Sequence, residues 1–364
     1  MTTTEGMKGG GYYDDHSEYQ RGVATTGVSF IEQCAAALPM PPSDRAVVIV
    51  DYGASTGANS LASVRAAVEA VRARNAKQPV AAVHNDLPTN DWNQLFANLA
   101  SRSDSYAHLG GPPVLPLVSG ISFFEPAVPP ASAHLGVSFS AAHWLRHQPS
   151  VTVPEGVYFC EATGAARSEL RAQADADWTA FLAARAADLA PGGRLLVQMV
   201  GSETAASGGE THVTARKLLR AMSEVAGELV AAGKLDAGAV DRYVLAVYAR
   251  TPDEARAPLE RRGTPVADAF DVDTIRTDPV PNPYLDRWRA DGDAAAYGRS
   301  YAAFVRGFTE SSLREHLFDP GVTAGNDPQQ VLDDYFARLT ARFTADPEAD
   351  AFEDWTLTVV LTRR

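Results

Sequence analysis

A short apolar run that leads into two glycines constrains the fold of this chain more than any other segment. Residues 47–50 (VVIV) are typical of a parallel strand buried on both faces, and Gly53 and Gly57 allow a sharp turn that a ligand can approach closely. A second apolar run ends at Asp86, where doubly wound folds place an acid that binds ribose hydroxyls. Together the two segments predict a site for a nucleotide-like cofactor.

Strands and helices alternate over the first half of the chain. The pattern predicts strands at 46–50, 79–84, 114–118 and 194–200, and helices at 60–74, 92–100 and 172–189. Because strands that alternate with helices form parallel sheets with crossover helices, we expect an α/β fold with a Rossmann-like sheet. Pro116 is unusual within the third of these strands, since proline removes a hydrogen bond from the ladder.

The alternation stops in the later part of the chain. Residues 205–320 are dominated by helical patterns, so we expect a mainly helical cap that is inserted into the core and forms the substrate pocket. The cofactor-binding core would then comprise 31–204 and 321–364, behind an amino-terminal lid segment, 1–30. Residues 355–361 alternate with bulky side chains and are expected to form a final antiparallel edge strand.

The charge balance and the cysteine content exclude several classes of protein. The 364 residues include 32 Lys plus Arg and 45 Asp plus Glu, a formal net charge of -13, so no basic surface for nucleic acid is expected. Cys34 and Cys160 form neither a CxxC pair nor a disulfide framework, which fits a reducing compartment. The amino terminus lacks a signal-peptide pattern, and no window approaches the ~20 apolar residues of a transmembrane helix. We expect a cytoplasmic protein that binds neither nucleic acid nor membrane.

The sequence GASTG at 53–57 also matches the nucleophile elbow of serine hydrolases, with Ser55 as the nucleophile. Such an enzyme needs an acid and a histidine at later strand ends, and no histidine stands out at such a position. His212 and His316 fall in expected cap helices. We therefore interpret the segment as a cofactor turn.

His143 and His147 are four residues apart, a spacing at which two histidines on one helix face can bind a metal. The glutamate of HExxH is absent and no third ligand is evident, so we interpret both as ordinary helix residues and expect no metal. Between them, Trp144 combines an apolar face with one N–H donor, which suits an aromatic ligand that carries an anionic group. Its spacing alone favours a core position.

Six segments occur in an order that is specific to one enzyme family. They are MKGG at 7–10 followed by Tyr13, Ser17 and Gln20, DYGASTGAN at 51–59, NDLPTNDWN at 85–93, GISFF at 120–124, SAAHWL at 140–145, and PGGR at 191–194 with Gly201. The set spans nearly the whole chain and resembles the SABATH family of S-adenosylmethionine-dependent carboxyl methyltransferases, known from plant salicylate, benzoate and jasmonate methyltransferases. The segment at 85–93 is the most specific of the six. The alanine- and arginine-rich helices favour a bacterial member.

The resemblance implies a class I methyltransferase fold and S-adenosylmethionine (SAM) as the cofactor. Position by position, it implies that Asp86 binds the ribose hydroxyls and that Ser122 and Phe123 flank the adenine. The other cofactor-binding positions that it implies are Ser17, Asp51, Gly53, Asn59 and Leu87, with Ser17, Asp51 and Asn59 at the methionine end.

The same matching implies where a substrate binds. Gln20 and Trp144 match the pair that hydrogen-bonds the substrate carboxylate, and they are the expected catalytic residues. Lys8 is expected to approach the same carboxylate. The positions that match the walls of the acyl pocket are Tyr248, Val305, Phe308 and Trp355.

The chain departs from the family pattern around the acyl pocket. Without a gap Ser140 takes the position of a family tyrosine, whereas one inserted residue gives that position to Phe139. Ala215 and Arg216 stand where many members have an apolar residue and a tryptophan, which implies a wider or more polar pocket. The resemblance therefore leaves the identity of the acid open.

We expect the chain to transfer a methyl group from SAM to the carboxylate of a small aromatic acid, which yields a methyl ester and S-adenosylhomocysteine (SAH). A carboxyl group of this kind has a pKa near ~4, so it is already ionised at cytoplasmic pH and needs no general base. The alternatives are N-methylation of a purine-like heterocycle and a non-catalytic protein that binds a small acid. The resemblance also implies a homodimer.

Overall fold

A seven-stranded sheet forms the centre of the protein. The computed structural model describes residues 7, 12, 18–154, 161–204, 211–319 and 321–364, so Lys8, Ser17 and Cys160 lie outside the described residues. The strands are β1 (Val47–Tyr52), β2 (Val80–Asp86), β3 (Val114–Gly120), β4 (Ala133–Phe139), β5 (Leu189–Val200), β6 (Ser202–Thr204), β7 (Thr211–Val213), β8 (Phe270–Val280) and β9 (Asp354–Arg363). Their order in the main sheet is β3-β2-β1-β4-β5-β9-β8, and β6 pairs with β7 separately.

The direction of the strands confirms the expected class I methyltransferase fold. The strands β1 to β5 are parallel to one another, whereas β9 runs antiparallel to both β5 and β8. The strand order reverses between β1 and β4, and ligands of doubly wound sheets bind at such a switch point. Pro116 is tolerated because β3 is the edge strand of the described sheet, in which it pairs with β2 alone.

Helices cover both faces of the sheet. They are α1 (Glu18–Thr26), α2 (Val28–Ala37), α3 (Leu61–Arg74), α4 (Trp92–Ser101), α5 (Gly164–Asp188), α6 (Arg216–Ala231), α7 (Ala237–Arg242), α8 (Pro252–Glu260), α9 (Pro265–Ala269), α10 (Pro283–Asp291), α11 (Ala294–His316) and α12 (Pro328–Ala345). On one face, Ile31 of α2 and Val64 of α3 pack with Ile49. On the other, Phe181 of α5 packs with Val50, as the alternation of side chains along β1 requires. None of these helices is long and apolar enough to cross a membrane.

A third apolar cluster joins the cap helices to α1. Leu218 of α6, Tyr301 of α11 and Tyr335 of α12 are buried in it, together with Tyr19 and Val23 of α1. Because Tyr19 is 3% exposed, α1 is fixed against the cap rather than against the sheet alone. The residue that follows, Gln20, takes its position from this packing.

Residues 205–320 are not wholly a helical cap. Within them, β8 pairs with β9 along its length and forms the outer edge of the core sheet. Its sequence FDVDTIRTDPV has no apolar run, since most of its side chains are exposed or half-buried, and the periodicity therefore does not predict it. The expected edge strand at 355–361 is thus wrong in one respect: β9 is antiparallel, as predicted, but lies inside the sheet.

The strand β4 is absent from the sequence-based prediction although it is central. Its residues include Gly136, and glycine weakens a strand because it has no side chain to pack. A Cβ at this position would lie 2.8 Å from the Tyr52 ring on β1, so the packing of the neighbouring strand requires glycine. The close approach of Tyr52 explains both the residue and the failure to predict the strand.

Candidate active site

The turn after β1 has the geometry that its glycines predict. Gly53, Ser55 and Gly57 have positive φ angles of 81°, 49° and 79°. A Cβ at Gly53 would overlap the side chain of Ala141, which follows β4. The turn therefore lies against the segment after the neighbouring strand, at the switch point of the sheet.

Asp86 lies at the end of β2 and hydrogen-bonds the same turn. Its Oδ2 accepts from the Ser55 backbone N–H at 2.7 Å, and its Oδ1 accepts from the Leu87 N–H at 2.7 Å. Burial raises the pKa of the Asp86 carboxyl, while these two hydrogen bonds oppose the rise. Each carboxylate oxygen can accept a second hydrogen bond, so both retain capacity for a ligand hydroxyl.

Two asparagines of the 85–93 segment support the loops on either side of Asp86. The Asn85 amide donates to the carbonyls of Ser119 and Ile121 at 3.0 and 2.6 Å. The Asn90 amide donates to the Ser55 carbonyl at 2.7 Å. The specificity of this motif thus has a physical basis, because its polar side chains connect β2, the turn after β1 and the loop after β3.

Asp51 belongs to a buried chain of hydrogen bonds at the end of β1. Its Oδ2 accepts from Ser60 Oγ at 2.6 Å and lies 3.1 Å from His84 Nδ1. On the other side of the imidazole, His84 Nε2 lies 3.0 Å from the Tyr106 hydroxyl. Asp51 is 2% exposed, whereas Ser60 and Asn59 line the adjacent cavity. Sequence reasoning missed the roles of His84 and Tyr106.

A cavity of about 390 Å³ opens over the carboxyl ends of β1 and β2. The matched cofactor positions that line it are Gly53, Asn59, Asp86, Leu87, Ser122 and Phe123. The expected catalytic pair, Gln20 and Trp144, lines it as well. The structure therefore brings residues from α1, β2, the turn after β1 and the segments after β3 and β4 to one site.

A smaller cavity of about 60 Å³ lies beside the first, beneath the cap. Its wall is mainly apolar and includes Val23, Met199, Leu219, Val247, Phe304, Phe308 and Phe352. Met7, Gln20, Ser140 and Trp144 line both cavities. The two cavities therefore meet where the expected catalytic pair lies.

The polar groups of Gln20 and Trp144 have unused hydrogen-bonding capacity. Gln20 is 9% exposed, and among the described residues its Oε1 has no partner. The indole N–H of Trp144 likewise has no described acceptor, although the backbone of Trp144 bonds the Ala141 carbonyl at 3.0 Å and bridges to Val247. A buried polar atom without a partner is costly in a protein interior, so Gln20 Oε1 at this junction indicates a site for a polar ligand, with the half-buried indole of Trp144 beside it.

The backbone before Trp144 is held in an unusual conformation. Ser140 has a φ of 51°, which is uncommon for a residue with a side chain, and its N–H donates to the Gln198 carbonyl at 2.8 Å. Ser140 itself lines both cavities. Non-glycine residues with positive φ cluster at functional sites, which fits its place at the junction.

One end of the small cavity is polar, and sequence reasoning missed it. Asp354 and Thr356 on β9, Thr214 before α6 and Tyr19 on α1 all line this cavity. Asp354 and Thr356 are two residues apart on one strand and so lie on the same face, a period-two signal that could have indicated a polar patch. Tyr19 lines the small cavity and its neighbour Gln20 lines both cavities, so α1 contributes to both. The position of Tyr19 next to Gln20 in the sequence could have indicated this.

The four positions matched to the acyl pocket separate in the structure. Phe308 lines the small cavity. Val305 is fully buried in the cap core, Tyr248 donates a 2.9 Å hydrogen bond to Glu254 beside a different cavity, and Trp355 stacks on His212 at 5.1 Å between ring centroids. These three do not line either of the two cavities described above.

The residues at the departures from the family pattern also separate. Ala215 lines the small cavity, whereas Arg216 pairs with Glu161, with 3.4 Å between Nε and Oε1. Of the two candidate positions for the family tyrosine, Phe139 lines the large cavity alone and Ser140 lines both. The small side chain of Ala215, rather than a charge at Arg216, thus shapes this part of the wall.

His143 and His147 do not lie on a helix, which corrects our interpretation from the sequence. They lie in the turn and loop that follow β4. His143 Nδ1 accepts from the Val200 N–H at 3.4 Å, and burial together with the nearby Arg250 lowers the pKa of His143 to about 3, so it is neutral. In the part of the chain that the structure describes, no group of three or more His, Cys, Asp or Glu side chains is placed to hold a metal.

Comparison with known proteins assigns the chain to a family. The model of the family described as SAM dependent carboxyl methyltransferase matches residues 1–364. The chain belongs to this family. The methyltransferase is therefore an enzyme with SAM as its cofactor, as the resemblance implied.

Relatives and a solved structure agree with this assignment. The methyltransferase is 27% identical to O-methyltransferase acrG of Aspergillus aculeatus over 98% of this chain and 97% of that protein. It is 26% identical to S-adenosyl-L-methionine:benzoic acid/salicylic acid carboxyl methyltransferase 3 of Petunia hybrida over 86% of this chain and 87% of the relative. Loganic acid methyltransferase with SAH has the same fold, with a TM-score of 0.75, 22% identity and 98% coverage of both chains. These relatives are fungal and plant proteins, and a bacterial origin stays a prediction.

Proposed function

We propose that the methyltransferase converts a small, aromatic carboxylic acid into its methyl ester. The observation that carries this proposal is the position of Gln20 and Trp144 on the wall shared by the two cavities. The large cavity would hold SAM and the small cavity the acyl group, so the carboxylate would lie at the junction. One carboxylate oxygen would bond the methyl carbon that SAM supplies, and the bond from that carbon to sulfur would break with its electron pair left on sulfur, which yields the ester and SAH.

The residues around the large cavity fit SAM. The Asp86 carboxylate would accept the ribose hydroxyls, and Ser122 and Phe123 would flank the adenine, as the family match implies. Asn59, Leu87 and Gly53 line the same cavity. As the family match implies, Asp51 would hold the methionine end of SAM together with Ser17 and Asn59. When bound, SAM supplies an electrophilic methyl group.

The chain's own contribution is position and environment rather than acid–base chemistry. A carboxylate needs no general base, because its pKa of about 4 keeps it ionised. The Gln20 amide and the Trp144 indole N–H would donate to this carboxylate and hold one oxygen in line with the methyl group. The apolar wall of the small cavity would exclude water from an anion that becomes neutral as the ester forms.

The size and shape of the small cavity support a small acid. About 60 Å³ is room for roughly four to six water molecules on the scale at which one water occupies about 10–15 Å³. Phe304, Phe308 and Phe352 line it, and aromatic rings pack favourably on one another. Both observations favour an acid of about one ring over a long-chain acid.

We retain four further expectations as proposals. Lys8 would approach the carboxylate, and residues 1–30 would form a lid over the site. A homodimer and a cytoplasmic location are proposed from the family resemblance and from the cysteine usage.

Methyl transfer to a panel of acids tests the proposal. The purified protein would be incubated with methyl-labelled SAM and benzoic, salicylic, 4-hydroxybenzoic, cinnamic or indole-3-acetic acid, with a methylxanthine as an N-methyl acceptor. We expect labelled product that mild alkali hydrolyses, as an ester requires. Label only in an alkali-stable product would support N-methylation instead, and binding of acids without any transfer would support a binding protein.

A matched pair of variants connects the result to the site. Gln20→Ala should lose most of the transfer, whereas Gln329→Ala on the exposed start of α12 should retain it. Equal activity of the two variants would contradict the role of Gln20.

A further inference from the structure

The polar end of the small cavity is built around one buried carboxyl group. Asp354 is 3% exposed, and its Oδ2 accepts hydrogen bonds from the Tyr19 hydroxyl and from Thr356 Oγ1, the latter at 2.9 Å. Thr214 Oγ1 lies 3.3 Å from Oδ1. All four side chains line the small cavity, and none of them lines the large one.

The two oxygens of Asp354 are unequally satisfied. Thr214 has one hydroxyl proton, and the Gly201 carbonyl, at 2.9 Å, is a nearer acceptor than Asp354 Oδ1. Thr214 Oγ1 also accepts from the Trp355 N–H at 2.9 Å, which fixes its orientation. Oδ1 therefore receives at most a long, shared hydrogen bond, and it retains capacity for a donor.

No described lysine, arginine or histidine forms an ion pair with Asp354. The described hydrogen bonds to the carboxyl all come from hydroxyl groups. Burial raises the pKa of Asp354 to about 6, so at neutral pH it is mainly ionised. A buried carboxylate without a cation lowers the stability of the folded protein. Its presence in an apolar wall therefore suggests a function. Ionisable groups with such shifts in a cavity are candidates for ligand binding.

The position of this carboxylate relative to Gln20 sets what it can contact. Gln20 lies at the junction of the two cavities, whereas Asp354 lines only the small one. Under the proposed function, on which this inference rests, a substrate whose carboxylate meets Gln20 extends its acyl group into the cavity that Asp354 lines.

We infer that the preferred substrates carry a hydrogen-bond donor on the acyl group, remote from the carboxylate, which Asp354 Oδ1 accepts. The donor is a hydroxyl or an N–H. A second carboxylate in place of this donor would be repelled by the anion, so dicarboxylic acids are excluded. Unsubstituted acids fit the cavity but leave Oδ1 with neither water nor a ligand donor, and they are therefore poorer substrates.

Matched acids that differ in one group test this inference. Benzoic acid would be compared with its 3- and 4-hydroxy, 3- and 4-methoxy and 3- and 4-carboxy derivatives, and with an indole carboxylic acid as the N–H donor. For wild type we expect one hydroxy or indole acid to exceed benzoic acid by roughly tenfold or more in kcat/KM, because a site built to bind a donor discriminates strongly against its absence. The methoxy acid, which keeps the oxygen but loses the proton, should behave like benzoic acid or worse.

Substitution at Asp354 should remove the preference. Asp354→Leu should lose the advantage of the donor acid, so that its kcat/KM for that acid falls to about the value the same variant shows for benzoic acid. Asp354→Asn keeps the shape and should reduce the preference while it admits a carboxy-substituted acid. Asp271→Asn, an exposed aspartate on the neighbouring strand β8 that pairs with Arg364, is the matched control and should retain the wild-type preference.

A second readout separates failure of this inference from failure of the proposed function. Calorimetric binding of the same acids to the SAH-loaded protein requires no turnover, and it should show the same order of affinities in wild type and the loss of that order in Asp354→Leu. Transfer to benzoic and hydroxybenzoic acids at equal efficiency would overturn this inference and leave the proposed function intact. Failure to transfer to any acid, with no difference in binding, would overturn both. If Asp354→Leu melts at a much lower temperature than wild type, Asp354→Asn and Thr356→Val carry the comparison.

Discussion

His84 Nδ1 lies 3.1 Å from Asp51 Oδ2, so a residue of β2 holds a carboxylate of β1 at the point where β1 enters the glycine turn. Both side chains are buried. Because Ser60 Oγ donates to the same oxygen and Tyr106 bonds the other imidazole nitrogen, the orientation of Asp51 depends on three residues around it. Under the proposed function, in which Asp51 holds the methionine end of the cofactor, His84 would thus be a positioning residue.

Replacement of His84 should weaken cofactor binding although His84 does not line the large cavity. His84→Leu removes the hydrogen bond to Asp51, and we expect SAH binding to weaken by about 1–2 kcal/mol, or roughly 5- to 30-fold in Kd. Tyr106→Phe, which removes only the outer hydroxyl, should have a smaller effect. Calorimetry with SAH measures both. An unchanged Kd for His84→Leu, at an unchanged melting temperature, would show that Asp51 does not need this support.

Loss of either carboxylate donor should affect turnover rather than cofactor binding. If the proposed function holds, Gln20→Ala and Trp144→Phe each remove one hydrogen bond to the substrate carboxylate, so we expect the transition-state stabilisation to fall by about 1–3 kcal/mol, which lowers kcat/KM roughly 5- to 150-fold. SAH affinity should stay close to wild type. Asp86→Ala is the reverse control, since it should weaken SAH binding. Equal loss of cofactor affinity in all three variants would contradict the division of roles.

Stability should depend on pH through Asp354. Its pKa is raised from 3.8 to about 6 in the folded state, so the folded protein holds this proton more tightly than the unfolded chain does. The resulting contribution to stability is present below pH 3.8 and is lost as the pH rises through about 6, a change on the order of 3 kcal/mol.

Asp354→Asn isolates this effect, because the asparagine does not titrate. Relative to wild type, the variant should gain unfolding free energy between pH 4 and pH 8, as measured by urea unfolding at several pH values. Asp271→Asn should show no such trend. A constant difference between wild type and Asp354→Asn would mean that Asp354 titrates normally.

The turn after β1 offers a test of steric fit. Gly53→Ala and Gly57→Ala both place a side chain at a φ near +80°, but only the Cβ at residue 53 overlaps Ala141, whereas the nearest atom at residue 57 is 3.5 Å away. We expect Gly57→Ala to cost about 1 kcal/mol of unfolding free energy and Gly53→Ala more than about 2 kcal/mol.

The double variant Gly53→Ala/Ala141→Gly removes the overlap. Its unfolding free energy should therefore rise from that of Gly53→Ala to about that of Gly57→Ala. Thermal or urea unfolding would be measured for wild type, Gly53→Ala, Gly57→Ala and the double variant. If the double variant were no more stable than Gly53→Ala, the backbone angle rather than the overlap would be responsible.

Much of the sheet, and part of the lining of the large cavity, could be predicted from local sequence, because the signals there are local. The apolar run of β1, the glycine turn and Asp86 at the end of β2 each depend on a few adjacent residues. The strand β4 could not be predicted, since Gly136 is required by Tyr52 on the neighbouring strand. Nor could β8, because an edge strand with exposed faces needs no apolar run.

The walls of the small cavity were harder to predict for the same reason. Whether Val305, Tyr248 or Trp355 faces the cavity depends on how cap helices pack over β9, and adjacent residues on a helix or strand face in different directions. Asp354 lies next to Trp355 in sequence and lines the cavity, whereas Trp355 stacks on His212. The family match thus points to the strand that lines the cavity, but at Trp355 rather than at its neighbour Asp354.

Tyr19 and Gln20 are neighbours on α1, and one bonds the Asp354 carboxyl while the other lies at the junction of the cavities. A shift of this helix would therefore move both polar ends of the pocket together. Changes in acid selectivity among related enzymes should consequently arise from substitutions on β9 or in the segment before α6. Such substitutions alter the end of the pocket near Asp354 and leave Gln20 at the other end unchanged.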